Sequence, residues 1–535
     1  MPRAGVVALA LLALSIGMTW PLGRVWQPEL PDLPDSAFNV WRLTWIAHQL
    51  VTEPTRLFEA NIFYPAQHTL AYSDAMLFVG LLAAPWLWLG VHPYVVHNLA
   101  VIAAFWAASF FTYRLCLRVT SHHWGAVAGA VVGGFAPYRF GHIAHLELLW
   151  TAFLPLGLTA LIALCERPTI AASLRLGLYQ VLQTLCSIYY GIYYAIYLAL
   201  AAVAVVMTQP PARWRRIALA LGGAAIATLV VLAPYVAVYR EARRLLPERT
   251  PEGIAQFSAV PRNYLEVSNG HTLPLPRNPR ASEERSLYPG AIAVLLAIVG
   301  VARGGRTALM YAAPLIVCVD LSFGVNGFVY PLLLSAVPLL ASLRAPARFG
   351  AFVLLNLSVL TALGTARLLA SPARARRVGP VLALAMAIEY LAVPVTTRRD
   401  PVKPPALYAW LAQQPPGVVL EMPLPTPESL WAYETDYQLM SIFHWKPLVN
   451  GYSGHAPADY IRFLGQMRTF PADETVPHVQ ARRVRWVIIH EALFDRRELP
   501  DLMEKLLGSK AFRSVGTYSD QWGRATVFEL TPTTM

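Results

Sequence analysis

Three short stretches hold the residue types able to carry chemistry. The first is Pro31-Asp32-Leu33-Pro34-Asp35-Ser36-Ala37-Phe38-Asn39-Val40-Trp41. A carboxylate here offers a general base, and an aspartate just before a helix equally suits an N-cap. Asp35 opens a helix expected over 36–51, so it can cap that helix with one oxygen and present the other to a substrate. Asp32, three residues earlier, fits a turn. Phe38, Trp41 and Trp45 fall on one side of the helix, as expected of a helix lying in a membrane interface. Beyond it come Asn61-Ile62-Phe63-Tyr64-Pro65 and then Asp74, placed to cap an apolar segment at 76–90.

The second stretch, Pro137-Tyr138-Arg139-Phe140-Gly141-His142-Ile143-Ala144-His145-Leu146-Glu147, connects two apolar runs. Ionisable groups at membrane depth face a cavity or a partner. His142 and His145 share a helical face and Glu147 lies well round from them, which argues against zinc and for the polar lining of an outward cavity. Interfacial hydration is the plainer alternative. The third stretch is Leu343-Arg344-Ala345-Pro346-Ala347-Arg348-Phe349. Arginine binds phosphate through a fixed fork of donors, whereas simple snorkelling would also account for Arg344 and Arg348. The glycine loops that cradle nucleotide phosphates are missing, as are the metalloprotease and serine-hydrolase signatures.

The elements around these residues are mostly apolar helices. Of 535 residues, 56% are hydrophobic and 14% charged, against about 25% charged in a soluble domain. Mean hydropathy is +0.45. Runs near the ~20 residues that span a bilayer predict a polytopic α-helical membrane protein of about eleven spans. They are expected near 4–23, 94–118, 124–138, 148–165, 172–187, 189–207, 216–236, 288–303, 307–323, 349–369 and 378–395. The first is a retained helix, since no small-residue cleavage site follows it. The apolar segments 76–90 and 327–341 are expected as short interfacial or re-entrant pieces. That choice keeps the basic links at 213–216, 303–306 and 374–377 in the cytoplasm.

The domain reading is a membrane domain over 1–395, with outer loops at 24–93 and 237–287, then a soluble α/β domain over 396–535 on the far side of the membrane. The net charge of +12 comes largely from short links between apolar runs. No basic-aromatic surface accompanies it, so nucleic acid is not an expected partner. All four cysteines lie in apolar runs, which leaves the C-terminal domain without a disulfide or a Cys-based metal site.

This order of parts resembles the GT-C superfamily of polyprenyl-phosphate-dependent glycosyltransferases, which includes oligosaccharyltransferases and protein O-mannosyltransferases. The Leu343–Phe349 and Asn61–Pro65 stretches resemble those of bacterial members more specifically. The resemblance implies a multi-pass enzyme of a bacterial inner membrane with a periplasmic C-terminal domain. It would move a sugar from a polyprenyl-phosphate lipid to a glycan, lipid or protein acceptor, with inversion. The family's acidic residue in the first outer loop maps to Asp35, with Asp32 as competitor. Arg344 and Arg348 are then phosphate contacts, and His142, His145, Glu147 and Asp74 line the substrate cavity. The resemblance assigns no definite cofactor, and a divalent metal is compatible with it. Two other classes stay open: a lipid-linked glycan flippase, and a non-catalytic envelope-assembly protein.

Overall fold

The computed structural model describes residues 4–246, 250–277, 283–426, 431 and 433–531. Parts of the second outer loop, 247–249 and 278–282, lie outside the described residues. The chain forms two compact units: Met1–Gln27, Asn98–Ala233 and Glu248–Thr397 in the first; Pro28–His97, Pro234–Pro247 and Arg398–Met535 in the second.

The first unit is a helical bundle. Among the described residues, six helices are long and apolar enough to cross a membrane: Pro93–Thr120, Leu146–Glu166, Ile188–Val206, Pro211–Arg244, Ala291–Ser322 and Pro346–Leu368. Among the described residues, further helices run over Ala4–Met18, His123–Phe135, Ile170–Cys186 and Pro372–Glu389. Ala291–Ser322 is two helices meeting at Gly305, whose φ of 57° and ψ of −144° only glycine adopts without strain. That break matches the separate segments expected at 288–303 and 307–323. The apolar segments at 76–90 and 327–341 yield only short helices, Leu77–Trp88 and Val329–Ala336, each well under the ~20 residues that a span needs.

The second unit is built on a four-stranded sheet. Val418–Met422 pairs in parallel with Val484–His490, which pairs antiparallel with Arg524–Leu530, itself antiparallel to Phe512–Ser519. The parallel step needs a crossover, and helices Glu434–Met440 and Ala458–Gln466 lie within it. Val419, Trp486, Ile488 and Val527 from the sheet share one core with Leu407, Leu411 and Leu439, and with Ala37 and Val40 of helix Pro34–Thr52. This changes the reading of that helix. It is not an interfacial helix offering tryptophans to lipid: Phe38, Trp41 and Trp45 are all buried by protein. Its residues 36–47 are buried on every side, because the unit's core closes around it.

Main-chain bonds fix the first loop to the sheet. The Phe63 and Tyr64 amides donate to the Asn450 and Leu448 carbonyls at 2.9 and 2.8 Å, and the Leu448 amide donates to Asn61 O at 2.8 Å. The Asn61 side chain joins Trp41 Nε1, Ser441 Oγ and the Lys446 carbonyl. The Asn-Ile-Phe-Tyr-Pro motif thus has a structural task within this unit.

Candidate functional site

In the second unit, Asp35 stands in the first turn of helix Pro34–Thr52. Leu33 holds the N-cap position without a side-chain bond, so the expected cap role of Asp35 is corrected. Pro34 is pre-organised for the first helical position and starts the helix two residues early. A carboxylate in that turn is favoured by the positive end of the helix. Asp35 is half-buried and accepts a hydrogen bond from the Tyr452 hydroxyl at 3.0 Å, whereas Asp32 is exposed.

A row of side chains runs along the helix from Asp35. Phe38 meets the edge of Tyr452 at 5.2 Å, and the Arg42 guanidinium lies 4.2 Å from the Phe38 ring centre. Arg42, seven residues from Asp35 and so on the same face, is 1% exposed. It donates to Asn39 Oδ1 and, at 2.5 Å, to the Asp74 carbonyl. Asp74 is buried and does not cap the following helix. Met76 takes that place at a left-handed φ of 51° with no side-chain cap bond. Tyr239 closes the same loop by donating to Ser73 O and accepting from the Ala75 amide, both at 2.9 Å.

Tyr452 is aimed by the turn that carries it. Asn450 exchanges bonds with the Glu421 backbone at 2.8 and 3.0 Å and donates to Glu434 Oε1 at 3.1 Å. The Gly451 amide donates to Glu434 Oε2 at 2.5 Å, and the Tyr452 amide to Gln438 Oε1 at 2.9 Å. Gly451 is required by close approach, since a Cβ there would stand 3.0 Å from three Phe63 ring carbons. Burial pushes the Glu434 carboxyl up to about 8, despite the bonds it accepts from Asn450 and Gly451. Behind this turn, His490 is held between Asp520 at 2.6 Å and Glu421 at 2.7 Å, and Tyr408 also donates to Glu421. Burial opposes charge on His490, but its bonds to the two carboxylates outweigh that and raise its pKa. None of Glu421, Glu434, His490 or Asp520 stood out in the sequence, where each is one polar residue beside a strand or helix.

In the first unit, Arg348 is buried and clamps Glu284 through Nε and Nη2, with Nε contacts of 3.0 and 3.1 Å. Its other face lies 4.4 Å from the Tyr189 ring centre. Burial alone would raise the Glu284 carboxyl; the Arg348 charge more than offsets it and holds the group well below the carboxylate range. His142 lies 3.7 Å from Glu284 and 3.4 Å from His145, nitrogen to nitrogen. The two histidines meet on the turn after helix Pro137–Gly141, not on one helical face. Glu147 is buried one helix further on, in Leu146–Leu149. Glu284 carries no motif, so Arg348 gave no sign in the sequence of being neutralised. Arg344 differs. It is half-exposed, lies 4.9 Å from the Phe257 ring centre, and pairs with no carboxylate among the described residues. Among those residues no cluster of metal ligands is found.

No family model and no curated sequence matches the chain. Among solved structures, it is similar to the arabinofuranosyltransferase AftD from Mycobacteria at 16% identity and a TM-score of 0.63, covering 99% of this chain and 41% of that one. The chain thus spans about two fifths of that protein's length. The oligosaccharyltransferase of Archaeoglobus fulgidus aligns at 12% identity over 91% of this chain and 69% of that one, with a TM-score of only 0.45. The likeness to AftD covers nearly the whole of this chain and shows that it shares that protein's fold.

Proposed function

We propose that the protein transfers a sugar from a polyprenyl-phosphate donor to an acceptor outside the cytoplasm, with inversion, and that Asp35 is its general base. The observation that carries this reading is the state of Asp35: a half-exposed carboxylate at a helix start, with one oxygen held by Tyr452 at 3.0 Å. That carboxylate, partly open to solvent and positioned by Tyr452, is the group that takes the proton of an acceptor hydroxyl. The donor needs no strong acid, because a lipid phosphate leaves as a stable anion. Arg344 is the phosphate contact we favour, since it is half-exposed and no carboxylate among the described residues pairs with it. Arg348, already committed to Glu284, acts through packing. His145, half-exposed beside His142, stays in the reading as a cavity-lining residue together with Glu147. A surface for the acceptor is offered by Trp445, half-exposed and stacked on His48 at 4.4 Å.

The same reading keeps about eleven spans and an extracytoplasmic C-terminal domain. The four native cysteines are buried, so a Ser509→Cys variant gives a clean handle. An impermeant thiol reagent should label it in intact cells, and labelling only after permeabilisation would reverse the topology. For the chemistry, Asp35→Asn keeps the volume but cannot accept a proton, so transfer from lipid-phosphate sugar in membranes should fall by about 10²–10⁴. Asp32→Asn should leave it unchanged. Full activity of Asp35→Asn at matched expression removes the base, and full activity of both variants would turn the reading toward a flippase or assembly protein.

A further inference from the structure

The first unit holds a second buried arginine, Arg139, and no carboxylate among the described residues answers its charge. Arg139 is 4% exposed. Its Nη1 donates to Thr151 Oγ1 at 2.7 Å, and its Nη2 to the Leu149 and Ala104 carbonyls at 2.8 and 3.3 Å. Its Nε–H has no acceptor among the described residues, and its plane lies 4.9 Å from the Phe105 ring centre. Every acceptor is neutral, and no carboxylate of the described residues pairs with it. Arg348 shows the ordinary solution, a glutamate in its fork. Hydrogen bonds to neutral oxygens satisfy donors but do not neutralise a charge withdrawn from water.

Arg139 also lines a cavity of about 30 Å³. Around it stand the hydroxyl-bearing residues Thr112, Tyr138, Thr151 and Tyr190, with His142. The Tyr138 and Tyr190 oxygens are 3.1 Å apart. One of the two hydroxyls donates to the other, and the remaining proton is available to a third acceptor. Glu284, 3.7 Å from His142, is already neutralised by Arg348. The space suits about two waters or one monatomic ion, and is too small for a lipid phosphate. Two waters would answer the loose donors and leave the charge. An anion answers both.

We propose that this cavity binds a small monovalent anion, chloride in the cell, held by the Arg139 guanidinium and the surrounding hydroxyls. The site is independent of the glycosyltransferase reading, because its test reads binding and not transfer. Purified full-length protein in detergent is heated in sodium chloride and in sodium gluconate at equal ionic strength. Chloride should raise the unfolding midpoint in a saturable way, as any ligand of the native state does. Radioactive chloride should be retained at about one ion per chain, and Arg139→Met should lose both effects. Should that variant fail to fold, Tyr190→Phe keeps the charge and removes one donor, and chloride affinity should weaken about fivefold, the worth of one net hydrogen bond. Absence of saturable chloride binding to the wild-type protein overturns the proposal and leaves a water-filled cavity. Unaltered affinity in Tyr190→Phe and Arg139→Met overturns it too, as does equal protection by inorganic phosphate, which the cavity is too small to hold.

Discussion

Arg348 and Arg344 stand four residues apart in one motif, and the structure treats them oppositely. Arg348 is buried in a fork with Glu284 and covered by Tyr189, so its charge is consumed inside the protein. Arg344 keeps its side chain half-exposed against Phe257 and meets no carboxylate among the described residues. Asp32 and Asp35 repeat the contrast three residues apart. One is exposed, and the other is half-buried and anchored by Tyr452. A buried charge with an opposite partner holds a fold together. A partly open charge with a neutral partner is the kind that meets a substrate.

Glu284→Ala is the strongest way to break this contrast after Asp35→Asn. It strands Arg348 as a buried cation, which should cost about 3–5 kcal/mol. The change would appear as lost thermal stability, with transfer per folded molecule preserved; a selective loss of donor binding instead would return Arg348 to the site. Arg344→Lys keeps a charge but not the fork. Donor affinity should fall about tenfold with stability unchanged, from the loss of one charge-assisted bond. Tyr452→Phe removes the anchor of Asp35, and transfer should drop by about tenfold on the same ground, while the Gly451 amide bond to Glu434 persists.

The smallest expected effect is a pH dependence. Glu434 titrates near 8 when folded and near 4.5 otherwise. Below 4.5 both states hold the proton, and between the two values only the native state does. Stability of the 450–454 turn should therefore fall as pH rises through that window. His490 acts in the same sense, because its raised pKa gives stability that is complete below 6.5 and lost as pH climbs past its folded value. Hydrogen exchange of the turn should quicken with pH, and in Glu434→Gln the Glu434 contribution should vanish. A slope unchanged by that variant would assign the whole effect to His490.

The sequence by itself determined the parts whose signal is local. Long apolar runs specify membrane-length helices wherever they occur, and the helices at 93–120, 188–206 and 291–322 with its break at Gly305 answer to segments placed by hydropathy and charge. The α/β region expected over 396–535 holds the sheet strands at 418–422, 484–490, 512–519 and 524–530. Asp35 and Arg344 drew notice because an isolated charge beside a hydrophobic segment stands out in any chain. What only tertiary structure decided is which charges are answered. Glu284 lies 64 residues from Arg348, and Tyr452 lies 417 residues from Asp35. No periodicity reports such pairs, because they form when distant segments are brought together by apolar burial that is indifferent to the partners it delivers. The same burial took the tryptophans of helix Pro34–Thr52 into a protein core instead of a lipid interface. An aromatic side chain favours either surroundings, and the fold alone chose between them.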